Sequence, residues 1–424
     1  MIKLFHIKRR FNTFGLPSIN LNVTTSINYL LLIYAFLLPI SYVAIKSLTT
    51  LLFLLWLVEG NFKHKFSNIF SNKSIIWFLI FSFYALFSLL WVDSNLKEAF
   101  VYIASHKYIL IFIIIYTSVN RKNITKLINA FILGVIVSMI VSYGIYFELI
   151  NMGYNHGWYG KPYNPTPFMD HLDYSIILAI VANIFLYKIV SNKIIFTKII
   201  SIILFFSVVI NLFIAGGRIG QLAFFVTMFI VLTFKYKDKI LKAIGGSILV
   251  VSVLAIIIFN TNNNFKTKML HSYTAIESVL IKKDYHSSWG ARAAAWIVSF
   301  DIVKNSTFFG VGAKDNLIAF KNTIKSKYPE FTHIMWFPHL HSEYLEIVTS
   351  MGLVGLILFL LILYELSKIP IKNVEIKNLK YIFLSIFLIG FFADPFLEKT
   401  YILPLFGFLY GIIVSKHKYE SLNH

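Results

Sequence analysis

The chain has 424 residues, 58% of them hydrophobic and 17% aromatic but only 14% charged; soluble proteins carry about 25% charged residues, so a soluble fold is excluded and a polytopic membrane protein is implied. The formal net charge of +20 would suggest nucleic acid in a soluble domain. Here the Lys and Arg sit in short tails and loops between apolar runs and read as topology signals, so no nucleic-acid partner is expected. The absence of cysteine removes disulfides and thiolate chemistry and agrees with an oxidising compartment.

The basic N-terminus, with Lys3, Lys8, Arg9 and Arg10, precedes an apolar run that starts near Ile27 and lacks a small-residue cleavage site. It reads as a retained first span rather than a signal peptide. A membrane-crossing helix needs about 20 mostly apolar residues, and twelve stretches qualify, near 27–43, 45–59, 75–92, 100–119, 127–148, 172–190, 199–216, 219–234, 243–260, 343–365, 380–393 and 400–415. Only Lys46 separates the first two, which predicts a tight hairpin or one broken helix. The last two are short and are split by Asp394, Pro395, Glu398 and Lys399; a Pro among charges can end a helix in lipid only where water or protein satisfies the freed backbone groups. The expected fold is an all-α polytopic membrane protein of about twelve transmembrane helices, residues 1–424 forming one integral membrane domain.

With both termini cytoplasmic, the short outer connections hold only Lys46, Lys97, Lys107, Lys161, Arg218 and Lys399, and the inner segments hold most of the remaining Lys and Arg. The distribution obeys the positive-inside rule. It leaves 261–342 as a large periplasmic loop between the ninth and tenth spans. Three stretches in it have helical periodicity: Phe265 to Lys283, Ala291 to Asn305 and Lys314 to Lys327. In the second, Ala294, Trp296, Ile297, Phe300 and Val303 make an apolar face expected to lie on the membrane or the spans. Gly310 and Gly312 mark a turn, and a second outer loop, Asn151 to Asp170, is expected to be irregular. No repeat and no Gly-rich phosphate loop after a strand is visible.

Five residues could carry chemistry. Arg218, in AGGRIGQ between the seventh and eighth spans, could anchor at the interface by snorkelling, but Gly216, Gly217 and Gly220 permit close approach, and an arginine near the membrane is a site hypothesis by default. Arg292 opens the second loop helix and, taken alone, reads as a solvated helix residue. His341 stands where the polar loop ends and the tenth span begins, beside Ser342 and Glu343. A neutral imidazole with a pKa of about 6.5 can take the proton of a sugar hydroxyl there. His339 and His171 are secondary candidates, each as readily structural. His339, His341 and Glu343 are not expected to bind a metal, because residues two apart on a helix do not share a face; no cofactor is expected. Gly352 and Gly355 read as a small-residue helix-packing face.

From His341 the order is Ser342, nine intervening residues, Gly352, two residues and Gly355. This pattern, His-(Asn/Ser/Gln)-x9-Gly-x-x-(Gly/Thr/Tyr), resembles the signature of the bacterial O-antigen ligase family. The resemblance implies an enzyme of the bacterial inner membrane, its site facing the periplasm, that moves a glycan from undecaprenyl diphosphate to lipid A-core. It also implies an Arg near a mid-chain membrane boundary and a second Arg in the large loop, followed by a Trp and a Gly-x-Gly turn; Arg218, Arg292, Trp296 and Gly310-Val311-Gly312 match that order. On this reading Arg218 and Arg292 hold the donor diphosphate, with His339 and His171 nearby, and His341 is the general base. The partners are then the lipid-linked donor, the lipid A-core acceptor and membrane lipids. An O-antigen polymerase or a protein O-oligosaccharyltransferase of the same superfamily is the alternative. Polymerases often carry Gly sixteen residues after the Arg, where this chain has Phe234 and Phe308. A lipid-linked glycan transporter, from another class, would bury ionisable residues in several spans, and the spans look nearly free of them.

Overall fold

The computed structural model describes residues 22–93, 96–152 and 160–421; the basic tail with Lys3, Lys8, Arg9 and Arg10, and 153–159 of the second loop, lie outside the described residues. Two helices, α1 (Val23–Leu37) and α2 (Tyr42–Glu59), open the chain. Their break falls at Leu38–Ser41, around Pro39, rather than at Lys46, which lies inside α2. Proline has no N–H to continue the ladder, and Ser41 caps the next helix, its Oγ accepting the Ala44 N–H. Then follow α3 (Phe62–Ser71), α4 (Lys73–Phe87), α5 (Leu96–Ser105), α6 (Ile111–Ser118), α7 (Ile124–Tyr146), α8 (His171–Ser191), α9 (Ile195–Ala215), α10 (Arg218–Lys235) and α11 (Ile240–Thr261). The long loop contributes α12 (Asn263–Glu277), α13 (Ser288–Asn305) and α14 (Asp315–Lys327), and the chain closes with α15 (Glu343–Lys368), α16 (Val374–Gly390) and α17 (Ile402–Ser421).

Among the described residues nine helical segments are long and apolar enough to cross a membrane, so the chain is an all-α, multi-pass membrane protein. The other three expected spans are occupied by α1, α16 and α17, of 15, 17 and 20 residues. Residues 402–415 of α17 are buried throughout. So is most of α8, which packs on α9, α10 and α16. A helix that is apolar all round belongs inside the protein, and these elements form the centre. By contrast α11 buries only Ala243, Ser247 and Ile258 and leaves its apolar surface for lipid.

The loop helices have a core of their own, in which Ala294, Val298 and Ile302 of α13 meet Phe320 and Ile324 of α14 and Leu345 and Val348 of α15. The face expected of α13 therefore splits. Ala294 lies on the buried stripe, whereas Trp296 and Phe300 point outward, 37% and 56% exposed.

The tenth span is not one continuous helix. Gly352 adopts φ 67, ψ −170, a region closed to other residues, and interrupts the ladder. The groups freed at the break bond to the loop: Val311 N–H to Thr349 O, Gly312 N–H to Ser350 O, Leu353 N–H to Thr307 O and Val354 N–H to Phe308 O. A Cβ at Gly310 would strike the Ser350 and Gly352 backbone, and one at Gly352 would strike Phe308. Gly352 is thus a docking point for the FFGVG turn rather than a helix-packing residue. At Gly355, where an added Cβ would lie 3.5 Å from Tyr84 of α4, the small residue does serve packing.

Candidate active site

The segment before α15 ends in an unusual turn. His341 has φ 56, in the left-handed region that L-residues other than Asn, Asp and His rarely enter. Ser342 follows as the N-cap residue of α15, and its Oγ donates to Phe391 O across the gap to α16. The sharp turn brings His339 and His341 to the same side, ring centroids 4.3 Å apart. The helix-spacing argument against their cooperation fails here, because neither residue is in a helix.

Both rings face Asp394, in the tight segment after α16. Asp394 Oδ1 lies 3.4 Å from His341 Nδ1 and 3.7 Å from His339 Nε2, and its Oδ2 lies 2.9 Å from Lys399 Nζ. The His341 contact is longer than a good hydrogen bond; such bonds often tighten only when substrate arrives. A carboxylate at Nδ1 fixes the tautomer and leaves Nε2 as the acceptor for an incoming hydroxyl. Burial would raise the Asp394 carboxyl, but His341, Lys399 and His339 hold it well below its usual range. Burial would also lower the Lys399 ammonium, and Asp173, Asp394 and Asp170 raise it instead. Burial pushes the His339 imidazole down to about 4, outweighing the opposite pull of Asp394.

Asp170 extends the cluster. Its Oδ2 is 3.5 Å from Lys399 Nζ, and its Oδ1 caps α8 by accepting the Leu172 and Asp173 N–H groups. His171, the first residue of α8, therefore stands beside the cluster and within the fields of Lys268, Lys399 and Arg218. Arg218 begins α10 after a turn that packs directly on α8: a Cβ at Gly217 would fall 2.3 Å from His171 O, and one at Gly220 would fall 2.4 Å from Ser175. Its guanidinium donates to Ser272 Oγ at 3.0 Å and Ser288 Oγ at 3.3 Å, which ties it to α12 and α13. One turn beyond Ser288, Arg292 interacts with Asp394 and Arg218. Burial lowers its pKa, Asp394 opposing and Arg218 adding to the effect, and it stays charged. Its Nε is buried without a hydrogen-bond partner. Lys268, donating to Gly216 O at 3.0 Å, is a third cation on this side. Beneath Arg218 runs an apolar groove of about 390 Å³ between α10, α11 and α12, lined by Leu222, Phe225, Ile256, Phe259, Phe265 and Met269.

The five residues singled out by the sequence, His171, Arg218, Arg292, His339 and His341, are thus linked in one polar cluster at the loop end of the helix bundle. Asp394 and Lys399, which the sequence marked only as breakers between the last two helices, stand at its middle. His339, His341 and Asp394 could also hold a metal ion, since one ligand atom from each lies within 4.8 Å of the others. Against that, Lys399 already neutralises Asp394, and the flanking Arg292 and Arg218 repel a further cation. Several helices do bury ionisable side chains, contrary to the expectation from sequence: Asp173, Glu343, Glu346 and Lys380 are 2–4% exposed. Asp173, Glu343 and Glu346 lie in the first turns of α8 and α15 at the loop end, so they do not form a path across the bundle.

The chain is thus an α-helical membrane protein with a cationic cluster at one end of its bundle, an Asp–His pair in it and an apolar groove beside Arg218. Residues 202–360, from α9 to the middle of α15, match the O-antigen ligase family, and this stretch of the chain is an O-antigen ligase family domain. The match contains Arg218, Arg292, His339 and His341. No curated protein matches the chain.

Proposed function

We propose that this protein is an O-antigen ligase of the bacterial inner membrane, with both termini cytoplasmic and loop 261–342 and the cleft periplasmic. It transfers a glycan from undecaprenyl diphosphate to lipid A-core. The observation that carries the reading is the convergence of Arg218, Arg292 and the Asp394–His341 pair, with Arg218, Arg292 and His341 inside the stretch that matches the O-antigen ligase family and Arg218 on the wall of the apolar groove.

The isoprenoid chain of the donor lies in the groove beneath Arg218. Its diphosphate sits between Arg218 and Arg292, whose planar forks suit bidentate phosphate binding. His341 Nε2 takes the proton of the acceptor hydroxyl, whose oxygen attacks the anomeric carbon; the glycosidic bond to the diphosphate breaks, and the two guanidinium groups stabilise the charge left on it. Asp394 stabilises the imidazolium formed. His339, held neutral by burial, and His171 border the donor site. The two arginines take the place a divalent metal would fill, so transfer is metal-independent.

The test is transfer by purified protein from a polyprenyl-diphosphate glycan to lipid A-core. Product forms in the presence of EDTA, and Arg292→Lys lowers both donor binding and transfer, because an ammonium keeps the charge but loses the fork. Activity abolished by EDTA and restored by a divalent ion overturns the arginine mechanism. A gene deletion that leaves carrier-linked polymer and bare core supports the ligase, whereas single repeat units on the core identify a polymerase.

A further inference from the structure

The turn that presents His341 is held by a side chain outside the cleft. Leu340 is fully buried, so its N–H cannot turn to water, and it donates to Glu346 Oε1 on the first turn of α15. The other oxygen of the same carboxylate accepts from Asn316 Nδ2 of α14 at 2.6 Å. Glu346 is 3% exposed and has no ion-pair partner within salt-bridge distance among the described residues. A bare carboxylate is costly to bury, and this one is stationed where it bonds the main chain one residue before a left-handed histidine. One turn earlier on the same helix, Glu343 Oε2 accepts the Leu397 N–H at 2.8 Å, and Leu397 lies between Asp394 and Lys399 in the other strap of the cleft. The Glu343 N–H donates to Phe391 O at 2.8 Å, just before Asp394.

We infer that Glu346 is a positioning residue for the imidazole, fixing the 339–341 turn through the Leu340 N–H and coupling it to the loop through Asn316, with Glu343 doing the same for the Asp394 strap. This rests on the proposed role of His341. The two carboxylates set the spacing between His341 and Asp394 from behind, and neither touches the cleft contents. What matters at Glu346 is a side-chain oxygen at that point rather than its charge. Glutamine keeps that oxygen, and the Asn316 amide can turn its own oxygen toward the new amide group; alanine keeps nothing.

The experiment compares Glu346→Ala and Glu346→Gln for transfer and, because the chain has no cysteine, for thiol protection in a Leu340→Cys background. Glu346→Ala is expected to lower kcat about 10²-fold, the order expected for a displacement of about 1 Å at a reacting group, with the KM for lipid-linked donor near the wild-type value. In this variant the introduced thiol reacts with a maleimide. Glu346→Gln recovers most of kcat and leaves the thiol protected. Glu59→Gln, at a half-buried, ion-paired carboxylate far along the chain, is the control for a purely structural lesion and retains kcat per folded molecule. Wild-type kcat in Glu346→Ala, a thiol still protected in that variant, or equal loss in Glu346→Gln and Glu346→Ala each overturns the inference. Should the wild-type protein transfer no glycan at all, the functional reading fails, while the labelling arm still decides whether Glu346 holds the turn.

Discussion

Buried charge occurs in two regions of this protein and is treated differently in each. Around α2 and α3 it is saturated: Lys65 Nζ meets Glu59 Oε2 at 2.8 Å and Trp56 O at 2.7 Å, and Glu59 also accepts from Thr24 and Ser118. Around α15 and α16 it is not. Asp394 Oδ1, His341 Nδ1 and Arg292 Nε are buried without a hydrogen bond of good geometry, and Asp394 is paired only through Lys399 at 2.9 Å. Native proteins rarely leave such atoms unpaired, and the contrast within one chain separates charge that holds the fold from charge that the proposed function would use.

The largest expected effect breaks the comparison on its reactive side. His341→Ala lowers transfer about 10²–10⁴-fold, the usual contribution of a positioned proton acceptor, while binding of the lipid-linked glycan persists. Near-normal transfer would make the open cluster as structural as the closed one, and lost donor binding would make His341 a diphosphate ligand. On the other side, Lys65→Met leaves the half-buried Glu59 without its cation and costs about 1–3 kcal/mol of stability. It lowers the thermal midpoint in detergent and leaves transfer per folded molecule unchanged; a midpoint like that of the wild type would show that saturation is not what distinguishes the two regions.

A smaller effect sharpens the picture through pH. His339 is held at about 4 in the fold, below its unfolded value of about 6.5, so the unfolded chain binds the extra proton as pH falls between them. Stability is complete above that window and declines through it toward pH 4. The decline should be visible in thermal midpoints measured from pH 7 down to 4 and shallower in His339→Gln. An unchanged slope in that variant would assign the proton to another group.

The helices were legible because nothing competes with hydrophobic run length in a chain this apolar; α12, α13 and α14 fall close to the periodic stretches read from the loop. The two-sided burial of α13 was not, since Trp296 and Phe300 satisfy the same periodicity as Ala294 while facing the opposite way. Arg218, Arg292 and His341 stood out by residue type at a membrane boundary. That ionisable groups near lipid mark sites fits Asp394 and Lys399 as well as Arg218, but in sequence the proline beside them gives them the look of helix punctuation. The pairing of Asp394 with His341 joins residues 53 positions apart, and no local pattern encodes that. Nor does spacing show that Glu346 reaches back to Leu340, or that His339 and His341 leave helical geometry.

The interruption of α15 at Gly352 bears on how the protein is made. Its hydrogen bonds to residues 307–312 belong to a segment synthesised before the span they complete, so the turn is already waiting when α15 enters the bilayer. Until it docks, four main-chain groups would face hydrocarbon unpaired, each costing several kcal/mol. Span insertion and loop closure are therefore one event during biogenesis, and the cleft cannot be assembled around an α15 whose loop has failed to fold.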